Sequence, residues 1–518
     1  MVLNMSFEEL GPALYSDACW WTVAVAMTTK ISIVVGGWSR MLRDYLKLAL
    51  FSPTGFMKAG MVLQLRGQLA VIHARVKIML SDGDGLRQAL QWMGSGSLKP
   101  CFRHWNVLKK NSNRTEHDAS ETYVEITCPD PTKFQCWDHH ELATAVDVCV
   151  AADAQHLSGR MSQARLDETR MHLGYRATAE GLLADPELRD AIDWLDVLRY
   201  DWPHTFLSDG VLGAEMWALI DKAEELEIFT RDHVVDFLEQ PWRFPSSATG
   251  DNKYASLAKL FNEHARKSSD EAKTLKASMS QFLGLYGLLR HFVEVSAGRD
   301  HRLRDLVYNF MLVCKALDLL LAAKRRRLPP KAAGEQLMAT LQAHLASHMR
   351  THAGGDDRVR PKTHWGFDVA ECLQRDDFVF DCFATERLHQ RAKAVAQHCK
   401  NLTTYETSVM SGITNSHVRM LASHVGPAGL EGEIADFHGW VVADKLRYYG
   451  VFVQVDNFVV RGAAMGRARG PVRHGCAGWV LSWRDGFWFF TAVGCRAGLM
   501  HGVKGACVCI VRSNVPPR

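Results

Sequence analysis

The sequence predicts a mixed α/β protein in which a large helical block interrupts an α/β platform and a small β domain follows. Strand-like and helical runs alternate over residues 19–90, and helical periodicity dominates residues 140–350. Beyond residue 445, short aromatic runs broken by glycine are typical of β-strands. A chain of 518 residues is too long for one hydrophobic core, so we expect about two to four domains.

Composition indicates a folded intracellular protein. The chain is 47% hydrophobic and 23% charged, which is typical of globular and not of disordered proteins. Its net charge of +4 is too small to indicate nucleic-acid binding by itself. The 13 cysteines are odd in number and scattered, which predicts a reducing, nuclear or cytoplasmic location. The apolar run 19–38 is interrupted by threonine and lysine, so no membrane partner is expected.

The pattern divides the chain into five predicted segments. They are an N-terminal part of the α/β core (1–93), a loop region with Cys and His (94–140), a helical insertion (141–355), a C-terminal part of the core (356–425) and a β-rich domain (426–518).

Within the first segment, "TKISIVVGG" (29–37) predicts a strand ending in a glycine pair, and "WSRMLRDYLKLALF" (38–51) has helical spacing. A second strand-like run, 68–85, stops at an acidic turn, and residues 86–92 resume a helix.

The helical insertion is clearest around residues 301–327, where an apolar stripe ends in a basic turn before Pro329 and Pro330. We interpret this Lys/Arg run as the solvated end of a helix, which is favoured over a DNA contact. Around 361–410 the pattern predicts a strand, with alternating Phe378 and Phe380, followed by a helix.

Two acidic residues, Asp82 and Asp84, follow the predicted strand at its C-terminal end. Hard divalent cations require oxygen ligands, and phosphoryl transfer with two metal ions uses carboxylates. The alternative is an Asp-Gly turn in which Asp84 caps the next helix.

A Cys-x-x-His pair, Cys101 and His104, is followed by Cys128 and further Cys and His residues. Thiolate and imidazole suit Zn²⁺, which could fix a loop-rich segment with little core of its own. The spacings match no strong zinc template.

The segment "DWPH" places Asp201 three residues before His204. Such a pair can orient an imidazole or present both groups to a metal or phosphate. The alternative is that Asp201 is the N-cap of a helix with Pro203 at an early position. The sequence leaves both interpretations open.

In "FATERLHQRAK", helical spacing places Glu386, His389 and Lys393 on one face. A solvated Glu–Lys stripe is one interpretation. The other is that the helix carries Glu386 into an active site.

Taken in order, these stretches resemble a DDE-type cut-and-paste DNA transposase of the loosely related CACTA, Plavaka and Kyakuja-Dileera-Zisupton group. The resemblance covers roughly residues 30–410 and is carried by Gly83-Asp84, the part-matching loop "GSGSLKPC", "DWPH", "RPKTHW" and "ERLH". It implies an RNase H-like core interrupted by a helical insertion.

The resemblance also implies site residues. Asp84 matches the second catalytic acid, with Asp82 as the fallback, and Glu386 matches the last acid. Mg²⁺ or Mn²⁺ held by Asp84 and Glu386 would activate water or a DNA 3′-OH, and His389 would orient Glu386 or a phosphate. The implied partner is transposon-end DNA, a homodimer is compatible, and the predicted DNA contacts are Lys393, Arg387, Lys362 and His364.

Three departures set limits on this expectation. No convincing first acid is found, because the nearby Asp17 lies in the unrelated context "LYSDACWW"; Pro203 replaces the usual Met; and no upstream DNA-binding region is recognised. The sequence therefore predicts a truncated or decayed copy with weak activity or none. The alternatives are a non-catalytic DNA- or protein-binding relic and a zinc-stabilised helical scaffold.

Overall fold

A computed structural model describes most of the chain. The described residues are 1–65, 68–109, 123–240, 242, 261, 263–352 and 359–424, together with the backbone of seven strands between 429 and 512. The chain forms two compact units, the first made of Met1–Thr28 and Phe383–Ile510 and the second of Thr29–Cys382 and Val511–Arg518.

The elements are numbered along the chain. The helices are α1 (Thr28–Ile31), α2 (Gly37–Phe51), α3 (Gly83–Leu90), α4 (His139–Leu157), α5 (Gln163–Leu173), α6 (Pro186–Ala191), α7 (Trp194–Val197), α8 (Trp202–Phe206), α9 (Val211–Glu225), α10 (Arg231–Leu238), α11 (Glu263–Ala272), α12 (Met279–Phe292), α13 (Arg304–Lys324), α14 (Pro330–Thr351), α15 (Pro361–Asp376), α16 (Phe383–Gln397) and α17 (Tyr405–His424). The strands are β1 (Val2–Met5), β2 (Trp21–Val25), β3 (Met61–Leu65), β4 (Gln68–Arg75), β5 (Met79–Ser81), β6 (Val107–Leu108), β7 (Val124–Glu125), β8 (Leu198–Tyr200), β9 (Gly429–Glu431), β10 (Ala435–Phe437), β11 (Trp440–Tyr448), β12 (Val451–Arg461), β13 (Gly478–Arg484), β14 (Phe487–Val493) and β15 (Ile510–Arg512).

In the first unit, β1 and β2 form an antiparallel pair, and α16 packs against α17 through buried Ala392, Val409 and Ile413. Strands β9 to β12 form an antiparallel sheet, and β13 and β14 form an antiparallel pair. The predicted β-rich character beyond residue 445 is therefore confirmed at the level of the backbone.

The second unit is built mainly on helices, as predicted for residues 140–350. Helices α13, α14 and α15 pack in succession, and α9 packs against α13. Most of the predicted apolar stripe of α13 is buried, including Phe310, Cys314 and Leu317, and Val307 and Leu321 are partly buried. One described helix, 301–324, is long and apolar enough to cross a bilayer, but 56% of that apolar window is buried inside the protein.

A short parallel pair, β5 and β8, positions the candidate site of this unit. Met79 pairs with Leu198, and Ser81 pairs with Tyr200. Helix α3 follows β5 and helix α8 follows β8. Because parallel strands end at the same edge, the residues directly after them lie side by side.

Two local predictions are wrong. Residues 29–37 are not a strand: α1 and turns replace it, and Ile33 and Val35 are 82% and 68% exposed. β-Branched residues favour a strand only where neighbouring strands and burial support it. Phe378 and Phe380 lie in a loop between α15 and α16, because Asp377 adopts a left-handed φ of 49° that ends α15.

The mixed α/β class is confirmed in its coarse form, since helices predominate and the described strands form small sheets of two to four strands. The RNase H-like arrangement, its helical insertion and the five domain boundaries stay predictions.

Candidate metal centre and carboxylate edge

The paired strands bring Asp82 and Asp201 to one edge of the second unit. Each is an N-cap: Asp82 Oδ1 accepts a hydrogen bond from Gly85 N at 2.6 Å, and Asp201 Oδ2 accepts one from His204 N at 3.1 Å. Short polar side chains are favoured at this position because they satisfy free helical N–H groups. We call Asp82 and Asp201 the carboxylate edge.

Asp201 is the more constrained member of the edge. It is 1% exposed, and its Oδ1 accepts a hydrogen bond from Cys382 N at 2.9 Å. Its Oδ2 also lies 2.5 Å from His204 Nδ1. Asp201 therefore caps α8 and also orients the His204 imidazole, and the presentation of both groups to a metal or phosphate stays a prediction.

Lys362, at the start of α15, lies within electrostatic range of both carboxylates. Its Nζ donates a hydrogen bond to the Ser208 carbonyl at 2.5 Å. Burial lowers the pKa of Lys362 below its usual value. The negative charges of Asp209, Asp82 and Asp201 raise this pKa, but they do not offset the effect of burial. Lys362, predicted as a DNA contact, therefore has a hydrogen-bond partner inside the protein, and the carboxylates of Asp209, Asp82 and Asp201 are close enough to act on its charge.

The Asp84 carboxylate lies in solvent and not at the carboxylate edge. Its side chain is 61% exposed and lies 2.7 Å from Arg87 Nη2, and Gln88 Nε2 donates to it at 2.6 Å. The alternative that Asp84 caps the helix is wrong, because Asp82 holds that position. The strand pairing thus favours the fallback residue Asp82 over Asp84 as the edge carboxylate.

Behind the edge lies a buried cluster, which we call the Cys101 cluster. It contains Cys101, His104, His364 and Asp368, all at most 2% exposed. The first two come from the loop that follows α3. The other two lie four residues apart on α15 and so share one face of that helix.

The four side chains converge on one point. Cys101 Sγ lies 3.5 Å from His104 Nδ1 and 3.4 Å from Asp368 Oδ2. His104 Nδ1 lies 3.0 Å from His364 Nε2 and 3.6 Å from Asp368 Oδ1. Zinc bonds of 2.0–2.3 Å in a tetrahedron require ligand atoms about 3.3–3.7 Å apart. The cluster therefore fits Zn²⁺ with small adjustments.

The protonation states of the four side chains in the Cys101 cluster are compatible with binding of a cation. Burial lowers the pKa of His104 and of His364 to about 3, so both rings are neutral and can offer a lone pair. Burial and the neighbouring Asp368 raise the pKa of the Cys101 thiol. Burial also raises the pKa of Asp368. A bound Zn²⁺ would offset both of these penalties by stabilising thiolate and carboxylate.

The Arg103 guanidinium lies beside the Asp368 carboxylate and would compete with a metal ion for it. Arg103 Nη1 lies 3.4 Å from Asp368 Oδ1, and Nη2 lies 3.6 Å from Glu371 Oε2. Even so, Asp368 Oδ1 and His364 Nδ1 have no hydrogen-bond partner within the part of the chain that is described. With Zn²⁺, one thiolate and two carboxylates balance the zinc and Arg103 charges.

The predicted zinc ligands are thus partly corrected. Cys101 and His104 belong to the cluster, but Cys128 lies outside it, with its thiol directed to the Asp130 carbonyl at 3.6 Å. His364, predicted as a DNA contact, is fully buried. Asp368 was missed, although the spacing of "HWGFD" places it on the same helical face as His364.

Aromatic packing connects the Cys101 cluster to the carboxylate edge. Tyr200 directly precedes Asp201, and its hydroxyl lies 3.8 Å from Cys101 Sγ. The Tyr200 ring stacks on Trp365 at a centroid distance of 4.5 Å and an angle of 11°. A Cβ on Gly83 would lie 2.6 Å from the Trp365 ring, so that glycine permits the close approach.

The Glu386 helix, α16, belongs to the first unit. Glu386 and His389 are partly buried, and Lys393 is exposed. Arg387, a predicted DNA contact, instead lies 3.2 Å from Asp17 Oδ1 and donates to the Tyr15 carbonyl at 2.9 Å.

Asp17 is therefore an ion-pair partner inside the first unit. Asp84 and Glu386 lie in different compact units, and their pairing stays a prediction.

Chemically, the site combines an oxygen-rich edge suited to a hard divalent cation with a Cys/His/Asp cluster suited to zinc. Comparisons of the chain with models of protein families, with curated proteins and with solved structures give no match. The resemblance to cut-and-paste transposases therefore stays a prediction from the sequence motifs.

Proposed function

We propose that the chain is a transposase-derived protein that retains weak cleavage of DNA strands by metal-dependent phosphoryl transfer at the carboxylate edge. The observation that carries this proposal is the parallel register of β5 and β8, which sets Asp82 and Asp201 side by side. Mg²⁺ or Mn²⁺ at such an edge activates water or a DNA 3′-OH for in-line attack on a phosphodiester.

Asp82 is the cation ligand in this proposal. Its Oδ1 serves the helix cap, and its Oδ2 is the oxygen offered to the metal ion. Asp201 is saturated by hydrogen bonds, so it contributes negative charge and orients His204. Lys362 provides a positive charge close to the place where a phosphate oxygen would bind.

Zinc has a structural role in the same proposal. Zn²⁺ held by the Cys101 cluster would tie the loop after α3 to α15, the helix that also carries Lys362. Through Tyr200 and Trp365 the same cluster supports the strand that ends at Asp201. Structural zinc contributes directly to the free energy of folding, so the position of Asp201 at the carboxylate edge would depend on the bound zinc.

Strand cleavage is tested by nicking of supercoiled plasmid and of terminal-repeat DNA by the purified full chain with Mg²⁺ or Mn²⁺. We expect cation-dependent nicking that Asp82→Asn abolishes, because Asn still caps α3 but binds a cation poorly. Asp84→Asn is the matched control and should nick normally. Nicking that survives Asp82→Asn but not Asp84→Asn would refute the assignment.

The same assay examines the predicted last acid. Glu386→Gln should abolish nicking if the sequence prediction of a third acid holds, and should leave it unchanged otherwise. Loss of nicking in both variants would mean that both acids take part in cleavage, and loss in Asp82→Asn alone would leave Glu386 outside the site.

A second candidate is a non-catalytic DNA-binding relic, which the hydrogen-bond saturation of Asp201 favours. Retained mobility shifts of terminal-repeat DNA without nicking in either cation would support it. In that case, DNA binding by Asp82→Asn should equal that of the unmodified chain.

Zinc binding is tested by metal analysis of the purified chain. Cys101→Ser should remove one equivalent of zinc, and Cys128→Ser, which changes a cysteine outside the cluster, should remove none. Zinc loss in Cys128→Ser with retention in Cys101→Ser would contradict the assigned ligands.

A further inference from the structure

A second buried cluster joins two helices of the helical core. Glu215 on α9 faces His344 and His348 on α14, and we call these residues the Glu215 cluster. Their side chains are 2%, 2% and 9% exposed. Glu215 Oε1 lies 2.8 Å from His344 Nε2 and 2.6 Å from His348 Nδ1.

The local sequence explains this convergence. His344 and His348 are four residues apart, so both project from one face of α14. Glu215 lies among buried apolar neighbours on α9, including Leu212, Met216 and Leu219. Two imidazoles one helical turn apart with a carboxylate from a facing helix form a ligand set that binds zinc in proteins.

Hydrogen bonding leaves the Glu215 cluster incomplete. Each histidine directs one ring nitrogen at Glu215 Oε1, and that single oxygen serves both. Glu215 Oε2, His344 Nδ1 and His348 Nε2 have no hydrogen-bond partner within the described residues, although all three atoms are buried. Buried polar atoms are normally paired, so the unpaired Glu215 Oε2, on a carboxylate that already faces two imidazoles, points to a missing ligand. His344 Nδ1 and His348 Nε2 are the ring nitrogens directed away from Glu215 and would not bind the ion.

The geometry points to a second metal site, in which Glu215, His344 and His348 bind a divalent transition-metal ion, Zn²⁺ by ligand type. The ion would separate the facing atoms from 2.6–2.8 Å to about 3.3 Å, as tetrahedral zinc requires. The proton on each facing ring nitrogen then moves to the other nitrogen of that ring, so that both imidazoles stay neutral and no net proton is released. Glu215 Oε2 becomes available as a second carboxylate ligand.

Three protein ligands leave a coordination position open. His348 lines a cavity of about 230 Å³ whose other walls include Trp217, Lys273 and Arg360. The cavity is large enough for water, which would supply the fourth ligand from the side of His348, and its walls carry Glu271 as well as cationic side chains. This site shares no residue with the Cys101 cluster or the carboxylate edge.

The test is metal analysis of the purified full chain after loading with Zn²⁺ and, separately, with Co²⁺. We expect two equivalents per chain. Glu215→Gln and His348→Asn should each reduce the content to one, and Glu225→Gln, an exposed glutamate on the same helix, should leave it at two. Two variants are used so that a folding defect in one does not decide the result.

Cobalt absorption separates this site from the Cys101 cluster. The Cys101 cluster contains a thiolate and should give a thiolate-to-cobalt charge-transfer band, whereas the Glu215 cluster should add only visible ligand-field absorption. One equivalent with no charge-transfer band would support the Glu215 site and refute the Cys101 site. One equivalent with the full charge-transfer band in the unmodified chain would overturn the present inference and identify the Glu215 cluster as a hydrogen-bonded triad.

Discussion

The two buried histidine clusters differ in the spacing of their polar atoms and in what they connect. In the Cys101 cluster four of the distances between ligand atoms are 3.0–3.6 Å, close to the edges of a zinc tetrahedron. In the Glu215 cluster the atoms lie 2.6–2.8 Å apart, the spacing of charge-assisted hydrogen bonds. The first needs only small adjustments to hold an ion, and the second must expand to admit one.

The two clusters also differ in the parts of the fold that they connect. The Cys101 cluster joins the loop after α3, which contains few regular elements, to α15, across some 260 residues of chain. The Glu215 cluster joins α9 to α14 inside a helical core that has extensive apolar burial of its own. Metal loss should therefore affect the fold far more at the first cluster than at the second.

The largest expected effect is on Cys101→Ser. It removes the thiolate ligand, so we expect a loss of about 4 kcal/mol in the free energy of unfolding, as for other losses of a structural metal. Denaturant unfolding with and without a chelator measures it. Chelator should lower the stability of the unmodified chain and of Cys128→Ser far more than that of Cys101→Ser, which keeps only the metal of the Glu215 cluster; equal sensitivity of all three would contradict the structural role.

A smaller effect is expected for Glu215→Gln. In the metal-free chain, replacing the carboxylate weakens two charge-assisted hydrogen bonds in a buried site, which costs about 2 kcal/mol. Thermal and denaturant unfolding give the value, with Glu225→Gln as the exposed control. A loss as large as that of Cys101→Ser would show that the two clusters contribute equally to the fold.

The smallest effect is expected for Asp82→Asn. Asn and Asp are comparable N-caps, so stability should change by less than about 0.5 kcal/mol, whereas Asp82→Ala should cost about 1 kcal/mol. Unfolding curves of both variants check this. A stability loss in Asp82→Asn similar to that in Asp82→Ala would mean that its carboxylate charge stabilises the fold, and the cleavage test would then need a different variant.

The sequence predicts those parts of the fold that depend on local pattern. The α13 helix and its buried stripe follow from apolar residues at helical spacing. The N-cap at Asp201 follows from the position of Pro203. The strand at 29–37 fails because β-branched residues alone do not supply a pairing partner or burial, and Ile33 is exposed instead.

The candidate site is predicted only in part for the same reason. Cys101 and His104 are close in sequence and are recognisable as a pair, but their partners His364 and Asp368 are distant and no local pattern connects them. Similarly, nothing near Asp82 indicates that β5 pairs with β8 and so sets it beside Asp201. Long-range contacts of this kind depend on the packing of the whole unit.

The central claim, that the carboxylate edge binds a catalytic divalent cation, is tested most directly by anomalous diffraction from crystals of the full chain grown with Mn²⁺. We predict a manganese peak about 2.2 Å from a carboxylate oxygen of Asp82, beside Asp201 and absent from Asp82→Asn crystals. An edge without manganese, in crystals that are saturated with the ion and diffract well, would contradict the claim.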